Sequence, residues 1–348
     1  MKVEQAIASS SSSATPATAA SKRPSRVGAR YRRDVIGVAV LAAISIAIGL
    51  TVTRSFYFTM LIYSAIYAIA ALGMSLLFGF AGQISIGQAA FFGVGAYTSA
   101  YAVMHLGMPP VLGTVCATAL AGAFGWLVSR PLLRLTTNYL AMGTLAFGVI
   151  CFILFAQLRS ITGGLDPGIV SLAPFSIGPW VLDEPRKMFW LVALVLCLVL
   201  LLVINLVHSR IGRALKALKV SEVGAAGLGV DVVRYKVATF TLAAALAGLA
   251  GSLFAHFQSA FNAGVFNVGL SIELLIMIVV GSVTTPWGAL FGALFVTILP
   301  SFLEDFEHYK LLVYGVIMTS VMIYMPDGFG RGLVEALRGF YKRRRREK

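Results

Sequence analysis

The chain has 348 residues, 58% of them hydrophobic and 12% charged, with a formal net charge of +14. A soluble domain carries about 25% charged residues, so half that fraction over this length excludes one. No Asp, Glu, Lys or Arg occurs in the 75 residues from Ser55 to Ser129, enough for about three spanning helices of roughly 20 residues each. The apolar runs are continuous rather than short and alternating, which excludes an outer-membrane barrel. The basic residues sit at the chain ends and between apolar runs, so membrane topology accounts for them and a nucleic-acid partner is not expected. Cys116, Cys151 and Cys197 lie inside apolar runs without a CxxC pair, which gives neither a disulfide framework nor a metal signature.

In chain order, residues 1–33 form a serine-rich, then basic, segment too poor in apolar surface to fold alone. A membrane domain is expected over 34–330 and a basic tail over 331–348. Ten spans are predicted, at about 35–53, 56–79, 83–106, 110–129, 138–158, 188–207, 237–256, 270–283, 286–303 and 310–326. Gly, Pro and Asn interrupt the stretch 237–303, where half-helices or re-entrant pieces are expected. With the N-terminus inside, the inner segments hold 23 of the 28 Lys and Arg, while the 14 acids split evenly. That bias puts both termini in the cytoplasm. An even count permits an inverted repeat of five and five spans, as in many transporters. The fold class is therefore an all-α polytopic membrane protein with eight to ten spans.

Four features stand out as candidate functional residues. Gly79-Phe80-Ala81-Gly82-Gln83-Ile84-Ser85-Ile86-Gly87-Gln88 puts two glutamines, a serine and three glycines at membrane depth. Amides there must find partners or water. The segment is either a broken helix lining a path or a short turn before a packed helix. The segment 209–236 carries six basic residues and a short amphipathic pattern, with Ala214, Leu215, Leu218 and Val220 on one side and Arg213, Lys216 and Lys219 on the other. It either docks into a partner's groove or lies on anionic lipid. Ile161 to Gly168 makes a turn in an outer loop, for an external partner or for structure alone. Glu273 is an ionisable group in a span, a functional candidate or an interfacial glutamate. The sequence has no GxxxxGK[ST], GxSxG or HExxH pattern, and it lacks the paired ionisable groups of many ion-coupled carriers.

LGMSLLFGFAGQISIGQAAFFGVGAYTSA from Leu72, NYLAMGTLAFG from Asn138, SRIGRALKALKVSEVGAAGLGVDVVRYK from Ser209 and SIELLIMIVVGSVTTPWGALFGA from Ser271 resemble, in order, the signature stretches of branched-chain amino acid ABC importer permeases of the LivM type. The resemblance covers about 56–330. It implies a non-enzymatic permease in a bacterial inner membrane that moves branched-chain or other apolar amino acids inward. Its partners would be a second permease of LivH type, two cytoplasmic ATPases and a periplasmic binding protein. The chain would bind no cofactor, and ATP and Mg would be used by the ATPases. The resemblance also puts Glu222, Ala225, Ala226 and Gly229 against an ATPase, and Gly82, Gln83, Ser85, Gln88 and Glu273 near the path. Thr162, Gly163, Gly164 and Asp166 would face the binding protein. Three departures bear on loop shape and ligand: Leu165 and Pro167 in the outer loop, Ser282 to Pro286 in place of a glycine-rich stretch, and Gly227 where an acid is common. Urea or short amides are the alternative cargo, and a stand-alone carrier or channel is the alternative class.

Overall fold

The computed structural model describes residues 26–302, apart from 53, 134–136 and 179, and a few positions between 312 and 323. The tails at 1–25 and 331–348 and most of the expected span at 310–326 lie outside the described residues. The helices are α1 (Arg26–Thr51), α2 (Ser55–Met74), α3 (Gln88–Met104), α4 (Pro110–Leu132), α5 (Thr137–Gln157), a short α6 (Arg159–Thr162), α7 (Pro185–His208), α8 (Arg210–Val220), α9 (Glu222–Gly227), α10 (Val232–Gln258), α11 (Val268–Gly281) and α12 (Pro286–Phe302). Between α2 and α3, Ser75–Ala81 winds as a π-helix. Two-residue strands β1 (Ser176–Ile177) and β2 (Trp180–Val181) pair as a small antiparallel hairpin in the 159–184 loop.

Six of these helical stretches are long and apolar enough to cross a membrane, and seven if α11 and α12, bent by 117° at their break, count as one. That is fewer than the sequence predicts for the same region, and the difference has two physical causes. Residues 82–87 are not helical, so α3 keeps only 17 residues, about 26 Å of helix, against a hydrocarbon core of about 30 Å. α11 has 14 residues and α12 has 17, so neither reaches that length by itself. Helix α1 also begins at Arg26, inside the segment expected to be a tail. It is held there by α7: Tyr31 donates to Asn205 Oδ1 at 2.9 Å, and Asp34 lies 3.4 Å from His208 Nε2.

Helix α10 is the central post, and α2, α3 and α4 pack around it. Small residues permit this closeness. Gly251 faces the backbone of α3, where an added Cβ would lie 1.9 Å from the Phe92 carbonyl oxygen. α3 runs parallel to the second half of α10. At its start Gln88 Nε2 donates to the Ala243 oxygen at 2.8 Å, and further along Ser99 Oγ meets His256 Nε2 at 2.9 Å. α4 runs the other way, so Arg130 at its end lies toward the start of α10. The bundle thus has a basic end, carrying 209–231 and Arg130, and an opposite end carrying 159–184 and 259–267.

At the opposite end the two loops are stitched together. Ile169 and Phe261 exchange backbone hydrogen bonds of 2.8 and 3.0 Å, Leu172 N donates to the Ser259 oxygen at 2.8 Å, and Ala263 N donates to the Gly164 oxygen at 3.2 Å. Asn262 Nδ2 adds a bond to the Leu165 oxygen at 2.9 Å. On the exposed side of the same loop, the Lys187 ammonium 3.2 Å from Asp183 holds that carboxyl below its usual range.

Gly251→Ala is expected to push α3 from α10 and to cost about 1–3 kcal/mol, read as a lower melting temperature in detergent. Gly227→Ala, where a Cβ meets nothing within 4 Å, is expected to leave that temperature unchanged. Thr162 Oγ1 donates to the Phe155 oxygen and accepts from Gly164 N. Thr162→Val is therefore expected to cost about 1–3 kcal/mol by stranding buried backbone groups, and Thr162→Ser to cost little in the same melt.

Candidate functional site: a broken span and the basic segment seated on it

The break between α2 and α3 leaves backbone groups without helical partners inside the bundle. Gly82 ends the π-helix with φ +70°, a left-handed conformation that glycine adopts without a Cβ clash. The free groups are met by side chains from three other elements. Lys219 Nζ on α8 donates to the Gly79 oxygen at 2.8 Å. Thr144 Oγ1 on α5 accepts from Ile86 N at 3.0 Å, and Ser271 Oγ on α11 accepts from Ala89 N at 2.9 Å. Gly79 also lies against the turn between α11 and α12, where an added Cβ would be 2.2 Å from the Val283 oxygen. The break is therefore where α5, α8, α10 and the α11–α12 turn meet.

Its polar side chains fare unequally. Gln88 is buried and its amide is taken up by Ala243. Gln83 and Ser85 are 2% and 1% exposed, and neither the Gln83 amide nor the Ser85 hydroxyl finds a hydrogen bond among the described residues. A buried amide without a partner costs about 1–3 kcal/mol, and native interiors hold few of them.

The basic segment is built from three capped starts. Ser209 accepts from Ile211 N and Gly212 N, Ser221 from Gly224 N, and Asp231 from Arg234 N, so α8, α9 and α10 follow one another with almost no linker. Leu215 and Leu218 are buried, and Lys216 sits over the Phe80 ring at 5.7 Å. Helix α8 thus lies on the π-helical end of α2. A 2.5 Å ion pair between Glu222 and Lys236 clips α9 to α10.

The amphipathic reading needs one correction: Val220 is not on the buried side but 87% exposed, because α8 ends there and the chain turns away at Ser221. Ala225 faces inward, whereas Glu222, Ala226 and Gly229 are exposed. Val223 at 85% and Leu228 at 82% are, like Val220, exposed apolar side chains on the basic segment. The sequence reading missed Val223 and Leu228; their signal is the presence of apolar side chains off the helical pattern in a charged segment. It also missed Thr144, Ser271 and the reach of Lys219, since hydroxyls in apolar runs do not name their acceptors.

The outer-loop candidates separate in the same way. Thr162 and Gly164 are buried and Gly163 is half-buried, while Leu165, Asp166 and Pro167 form the exposed tip. Glu273 is half-buried on α11, about a turn and a half from its start. Among the described residues no group of His, Cys, Asp and Glu is placed to hold a metal ion.

Residues 56–322 match the family described as branched-chain amino acid transport system, permease component. The high-affinity branched-chain amino acid transport permease proteins LivM of Salmonella typhimurium and Escherichia coli are each 32% identical to the chain, over 292 and 287 residues. Each alignment covers 76% of this chain and 67% of the relative. The corresponding LivH protein of Escherichia coli is 26% identical over 291 residues, 77% of this chain and 92% of the relative. No solved structure matches the chain. The family match begins one residue after the start of α2, so it takes in the break, the basic segment and the α11–α12 turn. The chain belongs to the permease components of branched-chain amino acid ABC transport systems, a multi-pass membrane protein and not an enzyme.

Proposed function

We propose that this permease works in a bacterial inner membrane as one of two permease subunits, with two cytoplasmic ATPases and a periplasmic binding protein, and that it moves branched-chain amino acids inward. The chain itself would bind no cofactor, with ATP and Mg confined to the ATPases. The reading puts the basic end, both termini and 209–236 in the cytoplasm, which the distribution of Lys and Arg supports. The closeness of Val283 to Gly79 supports counting α11 and α12 as separate crossings. With α3 and its non-helical lead counted as one crossing, and with 310–326, the total would be ten, as five and five.

The observation that carries this reading is the pairing of exposed apolar side chains on the basic segment with a lysine that reaches the break in the membrane. Val220, Val223 and Leu228 would enter an ATPase groove, with Glu222, Ala226 and Gly229 around them and Ala225 supporting α9 from behind. Exposed apolar patches outside a membrane mark protein contacts. The path would pass Gly82, Gln83, Ser85, Gln88 and Glu273. Because Gln83 and Ser85 are buried without partners, the break would have to shift during transport for them to meet substrate or water. At the other end Asp166 and Leu165 would touch the binding protein, on a turn shaped by Thr162, Gly163 and Gly164.

The test is purification of the tagged chain in mild detergent from its native membrane. A second permease and Walker-type ATPases are expected to copurify. Val223→Asp and Leu228→Asp are each expected to reduce the recovered ATPase about tenfold, as for loss of a central interface residue, with the second permease retained. A chain that purifies alone and transports without ATP would overturn the reading in favour of a stand-alone carrier.

A further inference from the structure

The 159–184 loop has a side that the proposed transport cycle does not use. From Pro167 to Leu182 it holds no Asp, Glu, Lys or Arg. Its hairpin turns apolar side chains outward: Ile177 and Val181 are exposed, and Trp180 is 78% exposed. The register pairs Ile177 with Trp180 and Ser176 with Val181. Residues directly opposite in an antiparallel pair share a face, so Ile177 and Trp180 make one apolar face at the tip, where Gly178 turns the chain with φ +61°. The base of the hairpin is held in the bundle. Phe175 is buried with its ring edge-on to His256 at 5.4 Å, and Leu182 N donates to the Phe175 oxygen at 2.8 Å.

Large apolar side chains presented together on a loop call for an occupant, and the surroundings choose lipid. β1 packs against α4, a helix long and apolar enough to span. Thr114 near the start of α4 accepts from Ser252 Oγ at 2.8 Å, one turn before His256 on α10, which puts that start at the level of the hairpin. There α4 buries Gly113 and Ala117 against the bundle and exposes Leu112 and Val115 on its other side. The hairpin thus continues an apolar surface that belongs to a membrane span. Just beyond β2, Lys187 makes exposed ion pairs with Asp183 and Glu184 at 3.2 and 3.4 Å, which marks the aqueous boundary at the start of α7. Depth follows from the backbone. Two-residue strands leave N–H and C=O groups on both outer edges, which hydrocarbon cannot satisfy and headgroups with their water can. Tryptophan, an apolar ring with one N–H donor, is enriched at that level.

We propose that the 176–181 hairpin is a lipid anchor in the headgroup layer of the outer leaflet, with Trp180 and Ile177 turned to the bilayer. The Trp180 indole N–H donates to a lipid carbonyl or phosphate oxygen. The anchor holds one side of the 159–184 loop to the membrane, while the exposed Asp166 turn of the same loop stays in water. The choice of leaflet rests on the topology proposed above; the lipid contact does not.

The experiment places a nitroxide spin label on Ile177→Cys in the complete complex freed of other cysteines. The complex is reconstituted in vesicles of phosphatidylethanolamine and phosphatidylglycerol. Accessibility to oxygen, which concentrates in lipid, is compared with accessibility to a water-soluble nickel complex. Oxygen is expected to dominate at 177, and the nickel complex at a label on Asp166→Cys. Dominance of the nickel complex at 177 would overturn the anchor. Low accessibility to both would overturn it in favour of a protein contact, with the binding protein if its addition is required and with the second permease if it is not. Trp180→Asp is expected to reverse the order at 177 and Trp180→Phe to keep it; an unreversed order in Trp180→Asp would overturn the part given to Trp180. Labelling of Asp166→Cys in intact cells by a membrane-impermeant thiol reagent tests the topology by itself. Its absence, with oxygen still dominant at 177, would overturn the leaflet and leave the lipid contact standing.

Discussion

A peptide group inside a membrane must be hydrogen-bonded, and this chain breaks its own helix where that rule is hardest to meet. The π-helix of 75–81 and the non-helical residues 82–87 strip carbonyl and amide groups of their helical partners. Three side chains from distant parts of the sequence replace them: Thr144 on α5, Lys219 on α8 and Ser271 on α11. Each bond fixes one element against the break. The arrangement of the bundle around α10 follows from these attachments as much as from apolar packing, which in lipid has little driving force between helices.

The same attachments make the break mechanically central. Its basic end is joined to α8, whose continuation α9 carries the exposed Val223 and Leu228. Its membrane side holds Gln83 and Ser85 without partners. A force applied to Val223 and Leu228 is thus one helix and one ammonium–carbonyl bond away from two polar groups that would gain by moving. On the proposed reading, this connection would couple an external ATPase to the path.

Much of this was legible in the sequence. The glycines and amides of 79–88 marked the break, because such residues are poorly suited to an uninterrupted apolar span. The amphipathic pattern running from Arg213 to Val220 gave the buried Leu215 and Leu218, whereas the caps at Ser209, Ser221 and Asp231 were not read from the sequence. Span number was less legible. Apolar runs show where helices fit but not where backbone leaves the helix, so 83–106 read as one span, while the interruptions in 237–303 marked half-helices or re-entrant pieces without fixing the number of crossings. Contact partners were not legible at all, since a threonine or serine in an apolar run is silent about the distant backbone it meets. Val220 was misplaced because, five residues after the buried Leu215, it falls on the far side of the last turn of α8. The outer turn showed its geometry in Thr162-Gly163-Gly164 but not that these residues face inward, against 261–264.

The link from the basic segment to the break is tested most directly by Lys219→Met in the reconstituted complex, with leucine uptake and ATP hydrolysis measured together. The substitution keeps the apolar stem and removes the charge-assisted bond to Gly79, a loss of about 1.5–3 kcal/mol. Uptake per ATP hydrolysed is expected to fall about tenfold, with hydrolysis itself retained within about twofold. Unchanged uptake per ATP would contradict the account, because the break would then be driven through some other contact.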